Sequence, residues 1–141
     1  MPDINELKEK SEERMELFKW YKTYSVNNED LDNHHKTLFN ILNRLYENCV
    51  SRDIPHCLDP IVVELVSYSN YHFTAEELHM RKKGYKDIDK HIVEHRSFTQ
   101  RALHLQQLVD KNDFELTKEL IVFLGNWILH HIMEEDKKFS V

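Results

Sequence analysis

Apolar side chains recur at alternating steps of three and four over most of this chain, the spacing that lays one stripe along an α-helix. One block reads Leu31, His35, Leu38, Leu42, Leu45, Cys49, and the next Val62, Leu65, Ser69, His72, Glu76, His79. A third reads Ile88, His91, His95, Phe98, Ala102, Leu105, Val109, and a fourth Thr117, Leu120, Leu124, Trp127, His131. Breakers separate them: Pro55 and Pro60, then Gly84, then the polar run from Asp110 to Asp113. The pattern predicts helices over 30–52, 60–83, 87–110 and 113–138, with Asp30 and Asp113 as N-terminal caps and Gly84 as a left-handed stop. Strand signal is weak throughout. Short connections join antiparallel neighbours, so the expected fold is all-α, an up-down-up-down antiparallel four-helix bundle.

Composition supports this reading. With 141 residues, 40% of them hydrophobic, and no apolar run of about eighteen, the chain suits one globular domain rather than a membrane protein. Two Gly and three Pro are too few for the turns of a many-stranded sandwich or barrel. A net charge of −6 argues against nucleic acid or an anionic membrane as the main partner. The start, MPDINELKEKSEERMELF, is charged where a secretory signal needs an apolar stretch, so a cytoplasmic location is expected. Cys49 and Cys57 match no zinc spacing and are expected to be thiols. Residues 1–17 read as an N-terminal extension to a domain over 18–141. Ile4, Leu7, Met15 and Phe18 share one helical face there, suiting a short packing helix, a docking segment for a protein partner or the remnant of a larger parent.

Ten histidines change the picture. Each seam is interrupted by His, and the second also by Glu76. Phase separates twins: His35 faces inward and His34 outward, Glu76 is chosen over Glu77, and His131 over His130. The interruptions fall early in the first and third helices and late in the second and fourth, which an antiparallel bundle brings to one end. A buried polar group without a partner costs about 1–3 kcal/mol. A lone seam His is ordinarily a hydrogen-bonded core residue, but five imidazoles and a carboxylate in one layer point to metal. Five imidazoles exceed one tetrahedral zinc site and suggest two ions sharing a carboxylate. The donor set is borderline to hard, which fits iron and excludes copper(I). Carboxylate-rich dinuclear bundles use two Glu-x-x-His motifs, whereas this chain has one such spacing, Glu76-x-x-His79. A nitrogen-rich iron pair is the better expectation.

These residues resemble the hemerythrins, in particular the single-domain bacteriohemerythrins, over about residues 18–140. The motifs are Asp32-Asn33-His34-His35-Lys36 with Leu38-Phe39, Tyr71-His72-Phe73-Thr74-Ala75-Glu76-Glu77 with Met80, Gly84-Tyr85, His91-x-x-x-His95, and Trp127-x-x-x-His131-Ile132-x-x-x-Asp136-Lys137. The resemblance implies one iron on His91, His95 and His131 and a second on His35 and His72. Glu76, Asp136 and a solvent-derived oxo or hydroxo would bridge them. It also implies reversible binding of dioxygen at an open position on the two-His iron. Leu38, Phe73, Trp127, Ile128, Ile132 and Phe139 would line an oxygen pocket, and Trp20 and Tyr24 would belong to an N-terminal arm folded along the bundle.

Two departures follow. Asp136 lies five residues after His131, about 140° away on a regular helix, where periodicity favours Glu135. The resemblance therefore implies a π-type bulge between His131 and Asp136. His79 occupies a position where relatives usually carry Leu. It is expected to make a buried hydrogen bond or reach the bundle end, with a proton relay or alternative ligand as the other reading. His56, His104 and His130 read as surface or loop residues. The implied function is oxygen storage, delivery or scavenging without catalysis. The alternatives are a regulatory module responding to oxygen, nitric oxide or iron, and a diiron peroxidase or oxidase. The lack of an attached signalling domain and of a second Glu-x-x-His favours the first.

Overall fold

A computed structural model describes residues 17–51 and 58–136, with side chains over 17–50 and 58–133. The described residues form four α-helices: α1 (Glu29–Ser51), α2 (Leu58–Lys82), α3 (Ile88–Asp110) and α4 (Phe114–His130). A 3-10 turn at Lys22–Tyr24 precedes α1, and a π-helical segment at His131–Asp136 continues α4. The helices pack as a ring, α1 on α2, α2 on α3, α3 on α4 and α4 back on α1. This is the expected all-α four-helix bundle. No helix among the described residues is long and apolar enough to cross a membrane.

Local chemistry explains the boundaries. Asp113 caps α4 by accepting from the Leu116 N–H at 3.2 Å. Asp30 does not cap α1. Asn28 does so, its Oδ1 accepting from the Leu31 N–H at 3.1 Å, because the helix begins one residue before the expected start. Helix α2 also starts early, at Leu58, since Pro60 falls in the first turn, where its missing N–H removes no helical bond. Gly84 ends α2 with φ +67°, and the Tyr85 N–H reaches back to the Met80 carbonyl at 3.0 Å. Asn112, at φ 56°, serves α3 in the same way.

The α1 seam is buried from Leu31 to Cys49, as expected. On α2, His79 departs from the expected seam. It is half-buried, and Met80 takes the core position, because after Glu76 the stripe advances by four rather than three. On α4, Ile121 and Ile128 are buried while Leu120 and Trp127 are half-buried against the core. Cys49 is a buried thiol directed to the Phe114 carbonyl, with Sγ at 3.5 Å. His56 and Cys57 lie outside the described residues.

The arm over residues 17–28 is fastened to α1 and α4. The Phe18 N–H donates to Asn43 Oδ1 at 2.8 Å, and Asn43 Nδ2 donates to the Phe18 carbonyl at 2.8 Å. Phe18 stacks on Phe39 and sits over Gly125, where an added Cβ would collide with the ring. A glycine inside α4 thus gives the arm its seat. Asp32, one turn into α1, accepts from the Val26 N–H at 2.8 Å and holds the arm's end. The extension over residues 1–16 lies outside the described residues.

Candidate metal centre

Antiparallel packing brings His35 from α1, His72 and Glu76 from α2, His91 and His95 from α3, and His131 at the end of α4 into one buried layer. Each is at most 4% exposed, so water supplies essentially none of their hydrogen bonds. Glu76 lies at the centre, and its two oxygens face different partners. Oε1 is 3.1 Å from His95 Nε2, 3.2 Å from His131 Nε2 and 3.8 Å from His91 Nε2. Oε2 is 2.9 Å from His72 Nε2 and 3.6 Å from His35 Nε2. The ligand-type atoms therefore form two groups, one of Glu76, His91, His95 and His131 and one of His35, His72 and Glu76, each within 4.8 Å.

Outer imidazole nitrogens of the layer are also engaged. His95 Nδ1 lies 3.0 Å from Glu77 Oε2, and His131 Nδ1 lies 3.3 Å from Glu94 Oε2. His72 Nδ1 lies 3.1 Å from His34 Nδ1. His34 therefore does not point outward. A residue just before the seam on α1 faces the adjoining helix α2, where His34 also packs against Tyr68 and Tyr71. Seam arithmetic sets Glu77 and Glu94 aside for the same reason, since it asks only which residue faces the bundle axis. The available signal is adjacency: each acid directly adjoins a residue of the layer, Glu76 or His95, and reaches a ligand-type His on the next helix.

Tautomers decide what this layer can do. A carboxylate only accepts, so Glu77 and Glu94 place the protons of His95 and His131 on Nδ1. Both Nε2 atoms then present lone pairs, 3.1 Å from each other and 3.1 and 3.2 Å from Glu76 Oε1. His35 and His72 oppose their Nε2 atoms at 3.1 Å in the other group. Acceptors facing acceptors in a dry core repel unless positive charge lies between them, and converging imidazole and carboxylate donors are what a transition-metal ion requires. The residues present fit metal. Burial works to raise the carboxyl of Glu76, but the surrounding imidazoles, His72 foremost, hold it well below its ordinary value. The hydrogen bond from His131 likewise lowers Glu94.

Apolar side chains close the layer. Leu38, Ile128 and Ile132 are buried. Phe73 stacks on His95 with centroids 4.1 Å apart, Trp127 stacks on His131 at 4.7 Å, and the two aromatics meet edge to face. Phe139, also expected there, lies outside the described residues. His79 joins neither ligand group. It lines a surface cleft of about 400 Å³ with Asp30, Leu31, His34 and Lys82. His104 and His130 are exposed, as expected.

The backbone after α4 is a π-helix from His131 to Asp136, the distortion that the family resemblance implied for this pair. Bonding of the i→i+5 type carries residue 136 back toward the face of residue 131, which a regular α-helix does not do. The side chain of Asp136 lies outside those described.

Residues 26–140 match the family model described as the hemerythrin HHE cation binding domain. The chain is 30% identical to a bacteriohemerythrin of Clostridium acetobutylicum over 87% of this chain and 98% of that one. It is 31% identical to a myohemerythrin of Theromyzon tessulatum, covering 89% and 92%. A crystal structure of wild-type hemerythrin superposes with a TM-score of 0.78 at 27% identity, covering 88% of this chain and 95% of that one. Family match, relatives, shared fold and a histidine layer at one end of the bundle agree, and the chain belongs to the hemerythrin family.

Proposed function

We propose that this chain binds dioxygen reversibly at a pair of iron ions held in the histidine layer, and so stores, delivers or scavenges the gas. His91, His95 and His131 would hold one ion and His35 and His72 the other. Glu76 would bridge them through its two oxygens, with Asp136 and a solvent-derived oxo or hydroxo completing the bridge. The observation that carries this reading is the division of Glu76 between two groups of inward-facing imidazole nitrogens. When bound, the iron pair supplies the electrons that dioxygen takes up on capture and returns on release. Membership of a family of oxygen-binding proteins, rather than enzymes, agrees with this reading.

The chain's own residues do the rest. Glu77 and Glu94 hold protons on the outer nitrogens of His95 and His131, leaving Nε2 free to ligate. Leu38, Phe73, Trp127, Ile128 and Ile132 keep water from the layer, which slows the protonation that would turn reversible capture into irreversible oxidation. A reducing, cytoplasmic setting suits a protein that keeps Cys49 as a thiol.

The test is to load the full chain with iron, reduce it anaerobically, admit oxygen and follow the visible charge-transfer bands while flushing the gas away. Spectral reversal over repeated cycles is expected. Irreversible conversion at first contact with oxygen would overturn the proposal.

A further inference from the structure

The two halves of the layer differ in what stands behind their imidazoles. On the three-His side, among the described side chains, His95 directs Nδ1 to Glu77 at 3.0 Å and His131 directs Nδ1 to Glu94 at 3.3 Å. On the two-His side, His72 directs Nδ1 to the imidazole of His34 at 3.1 Å. An anionic acceptor polarises the Nδ1–H bond, raises electron density at Nε2 and fixes the ring's orientation. A neutral acceptor does less of each. Loss of such a partner typically weakens metal binding by 10–100-fold.

We propose that Glu77 and Glu94 set the order in which the halves take up metal: the three-His half fills first and tightly, and the two-His half, backed by His34, fills second and exchanges more readily. This rests on the reading of the layer as a two-ion site. Glu77 and Glu94 act as positioning residues through His95 and His131. Two further features agree. Oε1 of Glu76 is shared among three imidazoles and Oε2 between two, so the three-His half also offers more donors. Phe73 and Trp127 stack flat on His95 and His131, at interplanar angles of 10° and 13°, fixing the rings that the two acids orient.

The experiment is an anaerobic titration of the chelator-stripped full chain with cobalt(II) alone, read by calorimetry and by the visible ligand-field bands, with no oxygen chemistry involved. Wild-type protein should take up two ions in two resolved steps with distinct spectra. Glu77→Gln with Glu94→Gln removes the charges and keeps acceptors. It should weaken the first step by about 10–100-fold and leave the second within about threefold. The corresponding Leu pair removes the acceptors as well and should weaken the first step further, whereas His34→Leu should weaken only the second. Circular dichroism of the apo variants checks folding, and the single variant Glu94→Gln, at a partly exposed position, stands in if a double variant fails to fold. An unchanged first step in Glu94→Gln or the Gln pair, or an equal loss in both steps, would overturn the ordering while leaving the two-ion site intact. Uptake of fewer than two ions by wild-type protein would overturn both.

Discussion

The two ends of the bundle bury polar groups in different ways. At the end formed by late α1, early α2, late α3 and early α4, the seams close on Leu45, Leu58, Leu65, Leu105 and Ile121, all fully buried. A polar group buried there, Thr117, satisfies its hydroxyl within its own helix by donating to the Asp113 carbonyl at 2.6 Å. Ser69, one helical turn before His72, does likewise with the Leu65 carbonyl. At the other end the polar groups buried among the described residues are five imidazoles and a carboxylate, which bond to one another around the axis rather than to their own backbone carbonyls. Hydroxyls are satisfied locally and leave the core self-sufficient. The imidazole layer needs a cation.

Removing metal should therefore have the largest effect and act on one end only. Saturating an ion site at about a thousandfold excess over its Kd adds about 4 kcal/mol of stability, so chelation should lower the thermal midpoint markedly. Hydrogen exchange should then speed around His35, His72, His91 and the π segment, while amides near Leu45 and Leu105 keep their protection. Uniform loosening of both ends would break the comparison.

The opposite perturbation is Leu65→Ala. Truncating a fully buried leucine at the apolar end should cost about 2–5 kcal/mol in denaturant unfolding. Iron content, measured by elemental analysis, should stay at the wild-type level. Loss of iron in step with stability would show that the ends are not separable.

A smaller effect is expected from Ile132→Thr, which puts a hydroxyl beside the ligand layer at a fully buried site. Water and protons gain access, and spontaneous oxidation of the oxygenated form should quicken by about tenfold, equivalent to about 1.4 kcal/mol of barrier. The decay of its visible spectrum in time measures this.

The smallest effect concerns pH. Burial lowers the imidazole of His34, as does the charge of His35, and burial with Lys83 and Lys82 lowers that of His79. Both bind protons less readily folded than unfolded, so their contribution is complete above the ordinary value of 6.5 and is lost as pH falls through the lower folded values. The thermal midpoint should decline below about pH 6.5, and His34→Gln with His79→Gln should flatten that decline. An identical profile in the double variant would exclude these two groups as its source.

Much of this was legible in the sequence because a helical seam records which residues face the axis. It identifies the helices, the level at which polar groups interrupt them, and the residues of the layer from His35 to His131. The π-helical segment was legible only through the family resemblance, which pairs His131 with Asp136 five positions on, a spacing that a regular helical turn does not fit. Residues beside the seam were not legible in that way. His34, Glu77 and Glu94 acquire roles only from the lateral packing of adjacent helices, which sets their distance to a neighbour's Nδ1. His79 was misplaced because a seam can step by three or four after Glu76, and Met80 settled the choice by filling the core. Gly125 has no local signature at all, its reason being the Phe18 ring brought to it by the arm.

The central claim, that Glu76 joins two unlike groups of imidazoles around a pair of ions, is tested most directly by iron X-ray absorption on the loaded protein. The account predicts two irons per chain, nitrogen-rich coordination and an iron–iron vector of roughly 3–4 Å. One iron per chain, or a loaded protein without an iron–iron vector, would contradict it.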